Sequence, residues 1–557
     1  MNCQVCGREY SPGEFFCQQC GASLRDQAVP PPQEGSNVPL QEPGAPPKKS
    51  FPKWIIAVAV CAALLVVAGI AAAVLLSSPK GNSGAVTYAS DAMTFVRSAK
   101  GDELLAISAG GDVIEVKTGG YPSAYSLDYA SAVLVTEKGV LYLFSGGKQV
   151  EIARKVGVAT ISNDGSTVAY ITSLRNDRGE LNLYDVGKGT SVIVVDNAYA
   201  DSSYPIVLSP DGKTVAFVGE YEDDAFDGYM SVNGGAPEML GEYVLPVAVA
   251  NNADILYYIQ LDSGAFDEQE FYIKTAEKGK VKLSSAPPSS LLLNRDRSEA
   301  LFTDNDRVYF VGRDTEKTKL FSMTYPNIAL PYDVATAYNY SFALSSYMSI
   351  STYGVDSLKD KVISGYGSVY YLDSGLQSTR ISSRSANYNQ LISSNFKSLI
   401  YLEDRGNLKY VKDLSKPGES TTVGTDLGTE SYSLDFSASS DLSNIYYKDE
   451  DGALYYTKPG SEAKKLADNV ESVIVNQETG IAYFIADYSE RKERGTLYSS
   501  QNGGEPKAVA GGETVATCSY YSGSVWCYVY NSSTREYDFY KIDSGGKLKL
   551  LAENVQY

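Results

Sequence analysis

The stretch "LSPDGKTVAFV", Leu208–Val218, has the pattern of two short strands around a tight turn. Apolar positions flank a centre of Ser, Pro, Asp, Gly and Lys, residue types that favour a β-turn. Altered copies occur at "ISNDGSTVAYI" (Ile161–Ile171), "LNRDRSEALFT" (Leu293–Thr303), "ISSNFKSLIYL" (Ile392–Leu402) and "VNQETGIAYFI" (Val475–Ile485). We interpret Asp211 and Gly212 as turn residues that carry no chemistry of their own.

A second hairpin pattern follows each copy, as in "GYMSVNGGAPEML" (Gly228–Leu240) and "LYSSQNGGEPKAV" (Leu497–Val509). Two hairpins make four antiparallel strands, and this unit recurs about every 40–45 residues, the period of a β-propeller blade. One sheet cannot bury both of its faces, whereas a closed ring of sheets can. The sequence predicts an all-β propeller of about eight four-stranded blades over 86–557, with two smaller propellers as the alternative. The irregular stretch 320–385 predicts a degenerate blade with an insertion.

The full Ser-Pro-Asp-Gly-Lys phrase resembles the TolB-like propeller repeat and the related propellers of the dipeptidyl-peptidase group. The resemblance covers nearly all of 86–557, but only residues 208–218 have the complete phrase. It implies a propeller fold and no particular activity.

The N-terminal segment, 1–24, contains two CxxC pairs in the pattern C-x2-C-x10-C-x2-C. Its four cysteines are Cys3, Cys6, Cys17 and Cys20. Four thiolates at this spacing suit tetrahedral coordination of one structural Zn²⁺, which so short a segment needs in order to fold. The segment is similar to the zinc ribbons that open many bacterial membrane proteins.

A membrane helix is predicted at 53–77, between a Pro-rich linker (25–52) and a short linker (78–85). Its core, Trp54–Leu76, is uncharged and long enough to span a bilayer. Basic residues cluster before it, which places the N-terminus in the cytoplasm and the propeller outside. A cleaved signal peptide fits less well, because 53 residues precede the apolar core.

The composition excludes several classes of function. The chain contains no histidine, so a Ser-His-Asp triad, a Cys-His dyad and every His-ligated metal site are excluded. The formal net charge is −19, and residues 1–80 contribute little to it. We therefore expect no binding to nucleic acid.

Two predicted hairpin loops in consecutive units are rich in carboxylates. Their acidic residues are Glu220, Glu222, Asp223, Asp224 and Asp227 in one loop, and Asp262, Asp267, Glu268 and Glu270 in the next. Long loops on a rigid scaffold often bind ligands, so this acidic sector is a candidate surface for a partner or a cation. The alternative is that these loops are simply solvated.

Two further cysteines, Cys518 and Cys527, flank the short turn in "SYYSGSVW". The turn would place them on facing strands, where they could form a disulfide outside the cell.

These patterns together predict a non-enzymatic, single-pass protein of the cell membrane. Its propeller would bind a protein, peptide or glycan outside the cytoplasm, and its zinc ribbon would dock a cytoplasmic partner as in an adaptor or sensor. A carboxylate-dependent envelope enzyme and a purely structural spacer are the alternatives.

Overall fold

The computed structural model describes residues 85–557, apart from 100, 102, 117–119, 176, 200–205, 223–224, 263–264, 332–333, 335, 344–345, 366, 430–434, 522 and 544. The predicted zinc ribbon (1–24), Pro-rich linker (25–52), membrane helix (53–77) and all but the last residue of the short linker (78–85) lie outside these residues. Within the described part of the chain, no helix is long and apolar enough to cross a membrane.

The described residues form an all-β structure of nine sheets, and a short 3₁₀ turn at Asn251–Ala253 is their one helical element. Most sheets are single four-stranded antiparallel units with strands in chain order, as the repeat predicts. Two seven-stranded sheets each join two such units through one shared 15-residue strand. The fold is of the propeller type, and the number of blades stays a prediction.

The first five sheets contain β1 to β19. Their strands are β1 Met93–Arg97, β2 Leu104–Ser108, β3 Val113–Val116; β4 Ala124–Tyr125, β5 Ser131–Val135, β6 Leu141–Ser145, β7 Lys148–Ala153; β8 Val156–Ile161, β9 Thr167–Arg175, β10 Arg178–Asp185, β11 Thr190–Tyr199; β12 Val207–Leu208, β13 Thr214–Glu222, β14 Ala225–Val232, β15 Glu238–Glu242; β16 Val244–Val249, β17 Ile255–Asp262, β18 Ala265–Thr275 and β19 Gly279–Ser284.

The remaining four sheets contain β20 to β43. Their strands are β20 Ser290–Leu293, β21 Ala300–Asp304, β22 Arg307–Val311, β23 Thr318–Ser322, β25 Thr336–Ala343, β26 Ser346–Tyr353; β24 Asn327–Ala329, β27 Lys361–Gly365, β28 Gly367–Leu372, β29 Ser378–Ile392, β30 Leu399–Glu403, β31 Leu408–Val411, β32 Ser420–Gly424; β33 Phe436–Ala438, β34 Ile445–Lys448, β35 Leu454–Thr457, β36 Lys464–Ala467; β37 Val470–Val475, β38 Ile481–Ser489, β39 Arg494–Gln501, β40 Lys507–Tyr521, β41 Ser524–Asn531, β42 Glu536–Ile542 and β43 Leu548–Val555.

The turn between β12 and β13 has a hydrogen-bond pattern that explains the repeated sequence. Ser209 Oγ donates to Asp211 Oδ1 at 2.7 Å and accepts from the Thr214 amide at 2.9 Å. Gly212 adopts the left-handed conformation that the turn requires, with φ of 67°. The same two bonds recur in Ser126–Ser131, Ser162–Thr167 and Ser439–Asn444. Asp211 and Gly212 therefore hold the turn, as their sequence context predicts.

Non-glycine residues take the left-handed position in some copies of this turn. Arg297 occupies it with φ of 60°. Its buried guanidinium donates to the Leu208 carbonyl at 2.6 Å and to Asn163 Oδ1 at 3.3 Å, so it connects three sheets. Burial lowers the pKa of Arg297 to about 10. The turn position that Gly212 occupies in one sheet is thus occupied in another by Arg297, whose side chain links neighbouring sheets.

Consecutive sheets are held together by their turns and by apolar faces. The Asp211 amide donates to Asn251 Oδ1 of the next sheet at 3.0 Å, and the Asp164 amide donates to the Pro210 carbonyl at 3.1 Å. Between the third and fourth sheets, β9 and β10 contribute Ile171 and Leu181 to a core that Phe217 completes from β13. Each sheet therefore needs a neighbour on both faces.

The first and last sheets supply that neighbour to each other. An apolar core joins them, with Val96, Leu105 and Ile107 from the first sheet and Trp526, Phe539 and Val555 from the last. The Ser98 backbone forms an antiparallel bridge with Val555, and the Gln556 amide donates to the Arg97 carbonyl at 2.8 Å. These contacts join the first sheet to the last, and we call this junction the ring closure.

An inserted hairpin, β25–β26, interrupts the period where the sequence is irregular. It lies between β24 and β27 in the chain, and β26 pairs parallel to β20, with Leu291 opposite Ile350. Met348 and Ile350 pack into the core of the fifth and sixth sheets. The predicted insertion within 320–385 is therefore present.

We predict that Asp211→Ala lowers the free energy of unfolding by about 1–2 kcal/mol, because Ser209 Oγ and the Lys213 amide lose their acceptor. Asp211→Asn should cost less, since it keeps an acceptor oxygen. Thermal unfolding at neutral pH measures both effects. Equal stability of the wild-type and alanine proteins would contradict this role.

Acid titration should separate the charge of Asp211 from its hydrogen bonds. Burial acts to raise the pKa of Asp211, but hydrogen bonds from Ser209 and Lys213 hold it below its usual value. The carboxylate therefore stabilises the fold above the unfolded pKa of about 3.9, and this contribution is lost as the pH falls through the lower folded pKa. Asp211→Asn should lose less stability than the wild-type protein over the same acid range.

The ring closure predicts that Trp526→Ala destabilises the protein by about 3–5 kcal/mol, because a buried indole is removed. Amide hydrogen exchange should accelerate in β1–β3 as well as in the last sheet. Met239→Ala is the control, since Met239 is 45% exposed and its loss should change stability by less than about 0.5 kcal/mol. Unchanged exchange in β1–β3 would show that closure does not depend on Trp526.

Candidate functional site

The acidic sector lies at equivalent connections of two consecutive sheets. Hairpin β13–β14 pairs Glu222 with Ala225 near its tip, and hairpin β17–β18 pairs Asp262 with Ala265. Both hairpins join the second and third strands of their sheets, so the backbone brings the two loops to the same end of the fold. The side chains of Glu220, Glu222, Asp223, Asp224, Asp262 and Asp267 lie outside the described part of the structure.

The described carboxylates of this sector have different surroundings. Glu268 is exposed, and Asp227 is half-buried on β14 opposite Glu242. Glu270 forms an ion pair with Lys282 and accepts a hydrogen bond from the Tyr272 hydroxyl. The hydrogen bonds from Lys282 and Tyr272 hold the pKa of Glu270 below its usual value. Its charge is thus already compensated, which leaves the binding role of the acidic sector as a prediction.

Metal binding has no support among the described residues, where no group of three or more Cys, Asp or Glu side chains is close enough to hold an ion. The four cysteines predicted to bind zinc, Cys3, Cys6, Cys17 and Cys20, lie outside those residues.

A second surface forms where the ring closes. We define the tyrosine surface as six tyrosines and two arginines from the last sheet, the first sheet and the segments that directly follow these two sheets. Its members are Arg97, Tyr121, Tyr488, Arg494, Tyr528, Tyr530, Tyr537 and Tyr557. Tyr121 and Tyr557 are 54% and 58% exposed, and the other members are half-buried.

Four of these rings form a continuous series of tilted and edge-on contacts. Tyr557 has ring-centroid distances of 5.5 Å to Tyr528 and 5.1 Å to Tyr537, and Tyr537 lies 5.6 Å from Tyr530. The Arg494 guanidinium carbon lies 3.5 Å from the centroid of Tyr530, a cation–π contact. The rings therefore hold one another in place and leave part of the aromatic surface open to solvent.

Burial raises the pKa of several hydroxyl groups of this surface, which keeps them neutral. Burial, followed by the nearby carboxylates of Glu493 and Glu471, raises the pKa of Tyr557. Burial is also the main cause that raises the pKa of Tyr528 and Tyr537. Neutral phenols donate hydrogen bonds while their faces offer apolar contact. Such a surface can stack against a sugar ring or an apolar side chain and hydrogen-bond to its polar groups.

Sequence reasoning did not locate the tyrosine surface. The signals are the 44 tyrosines of the chain and the i, i+2 spacing of Tyr528 and Tyr530 on β41, which places both on one sheet face. Tyr121 and Tyr557 are far apart in sequence, so only the ring closure brings them to the same surface.

The disulfide predicted from "SYYSGSVW" connects the two strands at the start of the last unit. Cys518 on β40 lies directly opposite Cys527 on β41, and the two are bonded in the structure. Cys527 is buried in the core between the last two units of the chain.

The sequence and the fold were compared with those of known proteins. No protein-family model and no curated protein matches the chain. Among solved structures, the chain is similar to TolB from Acinetobacter baumannii at 14% identity and a TM-score of 0.28, covering 47% of this chain and 66%, just under two thirds, of that chain.

Two further solved structures match the chain with similarly low sequence identity and TM-score. A putative TolB from Agrobacterium tumefaciens is 16% identical with a TM-score of 0.27, over 41% of this chain and 89% of that chain. The β-propeller domain of the Trilobed protease from Pyrococcus furiosus is 14% identical with a TM-score of 0.21, over 72% and 95%. These low values transfer no activity, substrate or partner, and the propeller assignment rests on the sheets and their closure.

Removal of the disulfide should destabilise the last unit. We predict that the double variant Cys518→Ser, Cys527→Ser loses roughly 2.5–3 kcal/mol of unfolding free energy, from loop-closure entropy in the unfolded chain. Chemical unfolding with and without a reducing agent measures this loss. If reduction leaves the wild-type midpoint unchanged while free thiols appear, the bond contributes no stability.

Proposed function

We propose that this protein is a single-pass membrane protein whose propeller binds a protein, peptide or glycan outside the cytoplasm. In this proposal, the apolar segment at 53–77 anchors the chain. Zn²⁺ held by Cys3, Cys6, Cys17 and Cys20 stabilises a cytoplasmic ribbon, which docks a second partner. The protein would then act as an adaptor or sensor across the membrane.

The observation that carries the binding proposal is the tyrosine surface. Its rings are positioned by neighbours, so binding would order few side chains and would lose little conformational entropy. Tyrosine and arginine are also the residue types enriched at the energetic centres of interfaces. The surface lies at a connection between sheets, where a rigid scaffold supports it.

The proposal assigns binding rather than catalysis because the chain has no histidine to serve as a general base or to activate a nucleophile. The acidic sector remains a second candidate contact region. Its loops join the second and third strands of their units, and the β38–β39 connection at the tyrosine surface occupies the same position in its own unit.

A crosslinked pull-down from native membranes tests the proposal. The full-length protein is compared with a Tyr121→Ala, Tyr557→Ala variant and with a Tyr325→Ala control that removes an equally exposed ring elsewhere. We expect the double variant to retain at least tenfold less partner, because two exposed rings leave the contact surface. The control should retain the wild-type amount.

A second variant tests the acidic sector and carries Lys at Glu220, Glu222, Asp223, Asp224, Asp267 and Glu268. Loss of the partner in this variant alone would move the site to the acidic loops. Equal capture by all variants would contradict both sites, and capture of no protein or glycan would favour the spacer role.

A further inference from the structure

Two hairpins of this chain share the turn sequence Asn-Gly-Gly. Asn233–Gly235 lies between β14 and β15, and Asn502–Gly504 lies between β39 and β40. The asparagine and the first glycine have positive φ in both turns, 53° and 67° in the first and 50° and 68° in the second. In each turn the amide of the second glycine donates to the carbonyl of the residue before the asparagine, at 3.0 Å and 2.9 Å. Both are therefore type I′ turns with nearly the same backbone geometry.

An Asn-Gly pair can modify itself without an enzyme, and asparagine is among the chemically labile residues of proteins. The backbone nitrogen of the glycine attacks the side-chain amide carbon of the asparagine, because a residue without a Cβ leaves this nitrogen accessible. The bond between the glycine nitrogen and Cγ forms, the bond between Cγ and Nδ2 breaks, and the glycine amide proton leaves with Nδ2 as ammonia. Water then adds to one of the two carbonyls of the resulting succinimide, which gives aspartate or isoaspartate. The net reaction is a hydrolysis and needs no reagent other than water.

The two turns differ in the surroundings of the attacking nitrogen. The Gly503 amide donates to the Tyr446 hydroxyl at 3.1 Å. Gly503 is also buried against the ring of Tyr456, where even an added methyl group would clash. The Gly234 amide, in contrast, makes no hydrogen bond to any residue of the described part of the chain, and Gly234 is only half-buried. The reaction requires loss of the amide proton, so the bond to Tyr446 and the exclusion of water should protect the second turn and not the first.

We propose that Asn233 is a site of spontaneous conversion to isoaspartate and aspartate, and that Tyr446 protects the equivalent Asn502 from the same reaction. Both asparagines are exposed, so the accessibility of the side-chain amide does not separate them. The turn must open locally to bring the glycine nitrogen to the side-chain carbon, and hairpin tips are among the segments that open most readily. Opening at Asn502 must in addition break the hydrogen bond between Gly503 and Tyr446.

The modification would change both the charge and the backbone of this hairpin. A carboxylate replaces a neutral amide beside Val232, an apolar side chain that is 42% exposed. Isoaspartate also adds one methylene to the backbone, next to the Asn233 amide that donates to the Lys213 carbonyl. Lys213 belongs to the repeated turn between β12 and β13, so the change would reach the contact between these two turns. The inference is independent of the tyrosine surface, which lies on other sheets.

Incubation of the folded full-length protein in water labelled with heavy oxygen, followed by peptide mapping in a mass spectrometer, tests the proposal. Each conversion incorporates one heavy oxygen, and fragmentation distinguishes isoaspartate from aspartate. We expect Asn233 to react at least about tenfold faster than Asn502, because its turn opens without breaking a bond to a tyrosine. In denaturant the two rates should converge, since both sites then have the same Asn-Gly-Gly sequence.

Asn305 provides a matched control within the same chain. It is exposed in a hairpin turn with φ of 49°, and the residue that follows it, Asp306, has φ of 60°. Asn305 should react much more slowly than Asn233 in both the folded and the denatured protein, because the Cβ of Asp306 shields the attacking nitrogen.

Tyr446→Phe tests the protecting hydrogen bond. It should raise the rate at Asn502 several-fold while the rate at Asn233, an internal reference for the folded state, stays unchanged. An unchanged rate at Asn502 in this variant would overturn the role of Tyr446. Equal rates at Asn233 and Asn502 in the folded wild-type protein, or no reaction at Asn233 while the denatured chain reacts, would overturn the proposal. This wild-type comparison holds even if Tyr446→Phe does not fold.

Discussion

The burial of both faces of every sheet is the constraint on which the rest of this structure depends. A single four-stranded sheet leaves an apolar face in water, so the hydrophobic effect drives each sheet against the next. The series remains incomplete until the first and last sheets meet through Trp526 and its neighbours. The backbone bridge between Ser98 and Val555 then adds main-chain pairing to that apolar core. The contact between the first and last sheets therefore completes the burial of their apolar faces. It also brings together the residues of the tyrosine surface.

Local turn chemistry makes this repetition tolerant of sequence change. The serine and aspartate side chains satisfy backbone groups within each turn, so the turn forms wherever these two residues recur. The left-handed position suits glycine, yet Tyr129 and Arg297 also occupy it, with φ of 62° and 60°. Tyr129 packs against Tyr88 and Tyr521 near the closure, and Arg297 reaches two other sheets. Backbone strain at these sites is offset by contacts that a glycine could not make.

The two candidate surfaces illustrate different kinds of information. The acidic sector was predictable because its carboxylates are clustered in sequence, but Glu270 shows that clustering does not reveal compensation by a lysine on the next strand. The tyrosine surface was not predictable, because its residues come from opposite ends of the propeller region.

The sequence by itself determined the local structure. Alternating apolar residues around Ser-Pro-Asp-Gly-Lys specify strands and turns, because both depend on contacts between residues close in the chain. The same reasoning identified the all-β class, the interruption at 320–385 and the facing positions of Cys518 and Cys527. Only the tertiary structure decided the pairing of β26 with β20, the sharing of β29 and β40 between units, and the approach of Tyr121 and Tyr557 to Tyr528. These features depend on contacts between distant segments, which local patterns do not encode.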